Sequence, residues 1–97
     1  MEIILSKSTR ADKKYMVKID KKTIHFGASN YSDYTIHKNV ERKRRYIARH
    51  KSREKWTKAG IQTAGFWSRH LLWNKPTLTA SIRDINHRFN VSIVKKN

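Results

Sequence analysis

Apolar and polar residues partly alternate in Tyr15-Met16-Val17-Lys18-Ile19 and again in Thr23-Ile24-His25-Phe26, with Asp20-Lys21-Lys22 between the two runs and Gly27 after them. A period of two puts every second side chain on one face, so this stretch predicts two short strands in a hairpin. Near the other end, Leu78, Ile82, Ile85 and Phe89 recur at spacings of 4, 3 and 4, the spacing of one helix face. Pro76 blocks a helix entering from upstream, and Thr77 offers its hydroxyl as a cap. Val91-Ser92-Ile93-Val94 is short and β-branched, which predicts a closing strand able to pair with the hairpin.

The middle of the chain predicts helices of two kinds. Ser32 can cap free amides and Asp33 suits a positive helix end, so a helix is expected to start there. Its apolar positions Ile36, Val40 and Ile47 share one flank, and the remaining circumference is polar. Ser52 predicts a further short turn carrying Glu54 and Trp56, with Gly60 stopping it in the left-handed conformation. From Thr63 onward, Phe66, Trp67, Leu71, Leu72 and Trp73 cover most of a helix circumference. A helix apolar all round is enclosed, either by its own fold or by a partner.

In order these elements read β-β-α-α-α-β, a small single α+β domain over residues 15–97 with a hairpin, three helices and a C-terminal strand. Residues 1–14 carry Lys7, Arg10, Lys13 and Lys14 among Ser and Thr and predict a basic N-terminal arm that orders on a partner. Three Gly and one Pro leave no flexible linker that would divide the chain.

Charge changes the picture most. Lys and Arg number 23 against 7 Asp and Glu, a formal net of +16. Small domains stay soluble with a net charge of roughly 2–8 in magnitude, so the excess predicts an acidic partner. It is concentrated between Lys38 and Lys58, where ten cations meet only Glu41 and Glu54. Arg42, Lys43, Arg44, Arg45, Arg49, Lys51, Arg53, Lys55 and Lys58 are therefore the candidate nucleic-acid or anion-binding residues. Half of the ten cations are Arg, whose planar fork grips a phosphate with two hydrogen bonds. Four consecutive cations, Arg42 to Arg45, must spray around a helix rather than line one side. Tyr46 and Trp56 sit in or beside this run as possible stacking partners, although aromatics on a helix of so small a domain more often pack in the core.

Other chemistry is scarce. The absence of cysteine excludes a disulfide framework and thiolate metal sites. Five histidines show no ligand spacing, so no metal or other cofactor is expected. No nucleophile elbow, useful acid pair or Gly-rich phosphate loop is present. A small basic nuclease using His and Arg is the one enzymatic reading left open, and the chain is expected not to be an enzyme. Ile3-Ile4-Leu5 and Leu71-Leu72-Trp73 are the longest apolar runs, far below a membrane span, and no secretory signal is expected.

Several strings then point to a setting. Lys22-Thr23-Ile24-His25-Phe26-Gly27, Tyr31-Ser32-Asp33-Tyr34-Thr35, Arg44-Arg45-Tyr46-Ile47-Ala48-Arg49-His50, Thr63-Ala64-Gly65-Phe66-Trp67-Ser68 and Leu72-Trp73-Asn74-Lys75-Pro76-Thr77 stand between Tyr15 and Ile93. Together they resemble a family of short, basic, functionally uncharacterised proteins of nucleocytoplasmic large DNA viruses. The resemblance implies a virion protein with a structural or assembly role, found in host cytoplasm or nucleus during assembly, and brings no catalytic residues. It leaves two partners open. One is viral DNA or another polyanion, held through the Arg/Lys-rich helix. The other is capsid protein, with this chain as a minor capsid cement on the inner face of the shell, anchored by the N-terminal arm and by Phe66, Trp67 and Trp73.

Overall fold

The computed structural model describes residues 1–96; Asn97, the last residue of the expected domain, lies outside the described residues. The fold is α+β, with strands at both ends of the chain. Strands β1 (Glu2–Lys7), β2 (Lys13–Ile19) and β3 (Lys22–Ala28) form an antiparallel meander, and β4 (Ser92–Lys95) adds in parallel to β1, giving the order β3-β2-β1-β4.

Two expectations change here. Residues 1–14 are not an arm, because Glu2–Lys7 is an inner strand whose Ile3 and Leu5 are fully buried. Alternation decides it: burying Ile3 and Leu5 removes enough apolar surface to outweigh the polar residues that follow. The predicted hairpin stands as β2–β3, β1 extends it to a three-stranded meander, and β4 pairs with β1 rather than with the hairpin. The register puts Ile93, Ile3 and Ile19 in one row and Leu5, Val17 and Ile24 in the next, a continuous apolar face.

That face is covered by helix α3 (Ala64–Trp67), a π-helical turn (Ser68–Leu72) and helix α4 (Leu78–Phe89). Phe66, Trp67, Leu71, Leu72 and Ile85 complete the core. Thr63 caps α3 by accepting from the Phe66 N–H, and Thr77 caps α4 by accepting from the Ala80 N–H at 3.1 Å. Trp67 is fully buried, and its indole N–H donates to the Ile61 carbonyl at 2.7 Å. Phe66 meets the Trp67 and Phe89 rings edge-on, with centroids 5.1 and 5.0 Å away.

The expected long helix after Ser32 is two pieces, α1 (Tyr34–His37) and α2 (Val40–His50). Asp33, not Ser32, caps α1, and Asn39 caps α2 by accepting from the Arg42 N–H. Lys38 between them is left-handed, with φ of 53°. Helical spacing cannot be carried across such a break, so Ile36 and Val40 do not face the core and are 61% and 56% exposed. Tyr46 is the residue that α2 buries instead.

After α2, residues 51–57 are irregular and a single 3₁₀ turn follows (Lys58–Gly60). Gly60 does not adopt the expected left-handed conformation. Glycine is needed there because the Lys55 carbonyl oxygen lies 2.1 Å from where a Cβ would stand. Gly27 answers to two constraints, a φ of 78° and a Leu72 methyl 2.6 Å from its would-be Cβ.

Candidate nucleic-acid interface

Helix α2 does not lie flat on the sheet. Its Tyr46 ring stacks on Trp73 with centroids 4.4 Å apart and planes 4° from parallel, and His50 stacks on the other side at 4.2 Å. Trp73 comes just after the π turn, where its N–H reaches back five residues to the Ser68 carbonyl. The stack holds α2 away from the end of β3 and leaves a cleft of about 660 Å³ between them. Burial pushes the Tyr46 phenol well above the usual tyrosine range, so it stays neutral.

The cleft divides the basic run into four groups. Arg42, Arg45 and Arg49 line it; at 3.6 residues per turn they fall within an arc of roughly 60°. Lys43 turns inward, where its ammonium donates to the Asn74 carbonyl at 2.6 Å and sits over the Tyr34 ring. Burial, with Arg69 and Lys75 nearby, lowers its pKa. Arg44 points elsewhere and pairs with Glu41 at 3.2 Å. Lys51, Arg53, Lys55 and Lys58 lie in the exposed segment beyond the helix and do not line the cleft.

The spraying expected of four consecutive cations is thus what α2 does, and only three of the nine candidate cations converge. They are joined by residues that spacing alone did not single out. Lys13 and Lys14 enter from β2, and Tyr31, 71% exposed, stands on the loop after β3. No periodic pattern links these segments, because sheet pairing and the fold of the loop bring them together.

Two acids line the cleft, and both are engaged. Asp33 is buried; one carboxylate oxygen accepts from the Thr35 N–H at 2.9 Å and from the Thr35 hydroxyl, and the other accepts from the Lys14 ammonium. Glu54 accepts from His50 Nδ1 at 2.9 Å and from the Trp56 indole N–H at 3.0 Å. Among the described residues no ion pair includes Arg42, Arg45, Arg49 or Lys13. The cleft therefore carries uncompensated positive charge over an aromatic floor.

The predicted protein-contact residues are placed differently. Phe66 and Trp67 are 0% exposed, so they are core and not a surface for a partner. Trp73 is half-buried and forms the floor of the basic cleft. A helix apolar all round does not say whether its cover is its own chain or another, and here the sheet supplies it.

Behind this floor, His70 is buried between a carbonyl and a cation. Since the Trp56 carbonyl can only accept, His70 donates from Nε2 at 2.8 Å, which leaves Nδ1 to accept from Arg88 at 2.9 Å. Burial, reinforced by the Arg88 and Arg69 charges, pushes its pKa down to about 4, against the Trp56 hydrogen bond. Protonation hence favours the unfolded chain. The stabilisation is complete above about pH 6.5 and is lost as pH falls toward 4. Unfolding free energy from denaturant titration should drop by about 2 to 3 kcal/mol over that window, and His70→Leu should flatten the slope there.

Among the described residues no three or more His, Cys, Asp or Glu side chains are grouped to hold a metal ion, and no helix is long and apolar enough to cross a membrane.

An α+β domain with a basic, aromatic-floored cleft is the class that fold and site define. Over residues 3–50, from β1 through α2, the chain is similar to the family described as "Family of unknown function (DUF5754)". The matched stretch contains Lys13, Lys14, Tyr31, Asp33 and the three cleft arginines, and stops before α3 and α4. No curated protein and no solved structure matches the chain.

Proposed function

We propose that this is a non-enzymatic nucleic-acid-binding protein that grips the phosphate backbone in the cleft beneath α2. In the setting implied by the sequence resemblance, the nucleic acid is the genome of a large DNA virus and the role is structural, in the virion or its assembly. One observation carries the reading: Arg42, Arg45 and Arg49 converge on one cleft while its two acids are occupied by other donors. Guanidinium groups without a carboxylate partner are free to take phosphate oxygens in bidentate fashion. Backbone phosphates carry no sequence information, so binding through them is expected to be weakly selective for sequence.

Binding to a DNA duplex across a salt series provides the test. Replacing Arg42, Arg45 and Arg49 by Ala should reduce the slope of log affinity against log salt by about 0.9 for each lost phosphate contact, close to 3 in total. Arg44→Ala, on the other side of the helix with Glu41, should change the slope far less. An unchanged slope in the triple variant would overturn the reading.

The capsid-cement reading is second. Without Phe66, Trp67 and a free arm, its support is the exposed pair Ile36 and Val40 beside the α1–α2 break. Retention on capsid protein after nuclease digestion, lost in Ile36→Ser/Val40→Ser, would favour it over the nucleic-acid reading.

A further inference from the structure

The α2 cleft does not end at Lys13 and Lys14. Both lysines, with the Asp33 that holds Lys14, also line a second cleft of about 650 Å³ at the end of the sheet. Topology puts positive charge there. Because β1 runs antiparallel to β2 and parallel to β4, the end of β1, the start of β2 and the end of β4 meet at one edge. Those strand ends carry Lys7, Lys13, Lys95 and the adjoining Lys96, whose N–H donates to the Leu5 carbonyl at 2.7 Å. Arg10 also lines the cleft but is held by Asp12. Among the described residues, Lys7, Lys13, Lys95 and Lys96 take part in no ion pair. Asp33 is the one acid lining this cleft among the described residues, and its oxygens are taken by Lys14 and Thr35.

We propose that this sheet-end cleft is a second phosphodiester subsite, and that the two clefts hold one strand of single-stranded nucleic acid that crosses between them over Lys13 and Lys14. The inference rests on the nucleic-acid reading above and narrows it from DNA in general to single-stranded stretches, with the duplex as the weaker ligand. Two concave basic troughs joined by shared lysines suit a flexible backbone that can follow the turn from one to the other. Tyr31, largely exposed on the wall of the first cleft, offers a ring face for stacking. Unpaired bases have free faces, whereas those inside a duplex are already stacked on one another.

Anisotropy of a labelled deoxythymidine oligomer of about 12 nucleotides, long enough for both clefts, tests this with the full chain across a salt series. The variant Lys7→Gln/Lys95→Gln/Lys96→Gln, in exposed side chains, should lower the salt slope by about 2, since each single-strand phosphate contact contributes about 0.7. Tyr31→Ala should weaken binding by about 5- to 100-fold with the slope unchanged. A duplex of the same length should bind more weakly and be indifferent to Tyr31→Ala. If the lysine triple leaves the slope unchanged while Arg42→Ala/Arg45→Ala/Arg49→Ala lowers it, the second subsite is wrong and the first reading stands. If neither triple moves it, both are wrong. Equal duplex affinity with a silent Tyr31→Ala overturns the single-strand assignment, and binding to poly-glutamate but not to the oligomer overturns it in favour of an acidic protein.

Discussion

Asp33→Ala is expected to cost about 3 to 5 kcal/mol of stability, the range for removing one partner of a buried ion pair. Three interactions go at once: the ammonium of Lys14 loses its counter-ion, the first turn of α1 loses its cap, and the Thr35 hydroxyl loses its acceptor. Side-chain exposures of 3% for Asp33 and 15% for Lys14 mean that water replaces little of what is lost. For a domain with a total stability of about 5 to 10 kcal/mol this is a large fraction, and the melting temperature should fall by roughly 15 °C or more. Asp33→Asn separates the parts, because it keeps an acceptor for the Thr35 N–H while leaving Lys14 unpaired. If the ion pair dominates, Asp33→Asn should be nearly as damaging as Asp33→Ala, and Asp33→Asn/Lys14→Met should recover much of the loss. Calorimetry of the four proteins checks this. A melting temperature within a few degrees of wild type for Asp33→Ala would contradict it.

On the proposed nucleic-acid reading, the same pair connects folding to binding. Asp33 lines both clefts, and by neutralising Lys14 it sets how much of their charge is free. Removing its charge should destabilise the domain and yet strengthen anion binding by the molecules that remain folded. A fold optimised only for charge would not bury an acid there. Its presence suggests that Lys14 is fixed as the shared wall of two clefts at the expense of some of its positive potential.

Much of this architecture can be read from local patterns, and the misses have physical reasons. Thr63, Thr77 and the Leu78–Phe89 stripe were legible because a cap and its helix lie within one turn, so nothing distant decides them. The first strand was obscured by Lys7, Arg10, Lys13 and Lys14, which follow the Ile3-Ile4-Leu5 run closely and lower its local hydropathy. Its alternation was nevertheless there, with Ile3 and Leu5 in and Glu2 out. The α2 face differs from its spacing for another reason. Ile36, Val40 and Ile47 share a flank only if the helix is continuous, and the left-handed Lys38 followed by the Asn39 cap ends that continuity.

The candidate site was half legible. Counting charge located the basic run, but only three-dimensional placement separates Arg42, Arg45 and Arg49, which converge, from Lys43, which is drawn inward by Asn74, and Arg44, which turns to Glu41. Lys13 and Tyr31 join the cleft through sheet pairing and a loop, contacts that no spacing rule encodes.

Trp67→Ala should cost about 3 to 5 kcal/mol, a third or more of the domain's stability, and bring the unfolding midpoint far down. Its ring is fully enclosed, beside Phe26 at 6.4 Å and edge-on to Phe66, and its N–H satisfies the Ile61 carbonyl. Truncation would open a cavity under the sheet and leave that carbonyl without a donor, two penalties that add. Trp67→Phe keeps much of the volume and loses the hydrogen bond, so it should fall between wild type and Ala. Phe89→Ala, at a half-buried position that packs on Phe66, should be milder. Far-ultraviolet circular dichroism with urea titration ranks the four. If Trp67 instead anchored a partner's surface, Trp67→Ala would remain folded with wild-type urea resistance and lose only association. Finding that outcome would mean the sheet face is covered differently from the arrangement described, and the cement reading would regain its anchor.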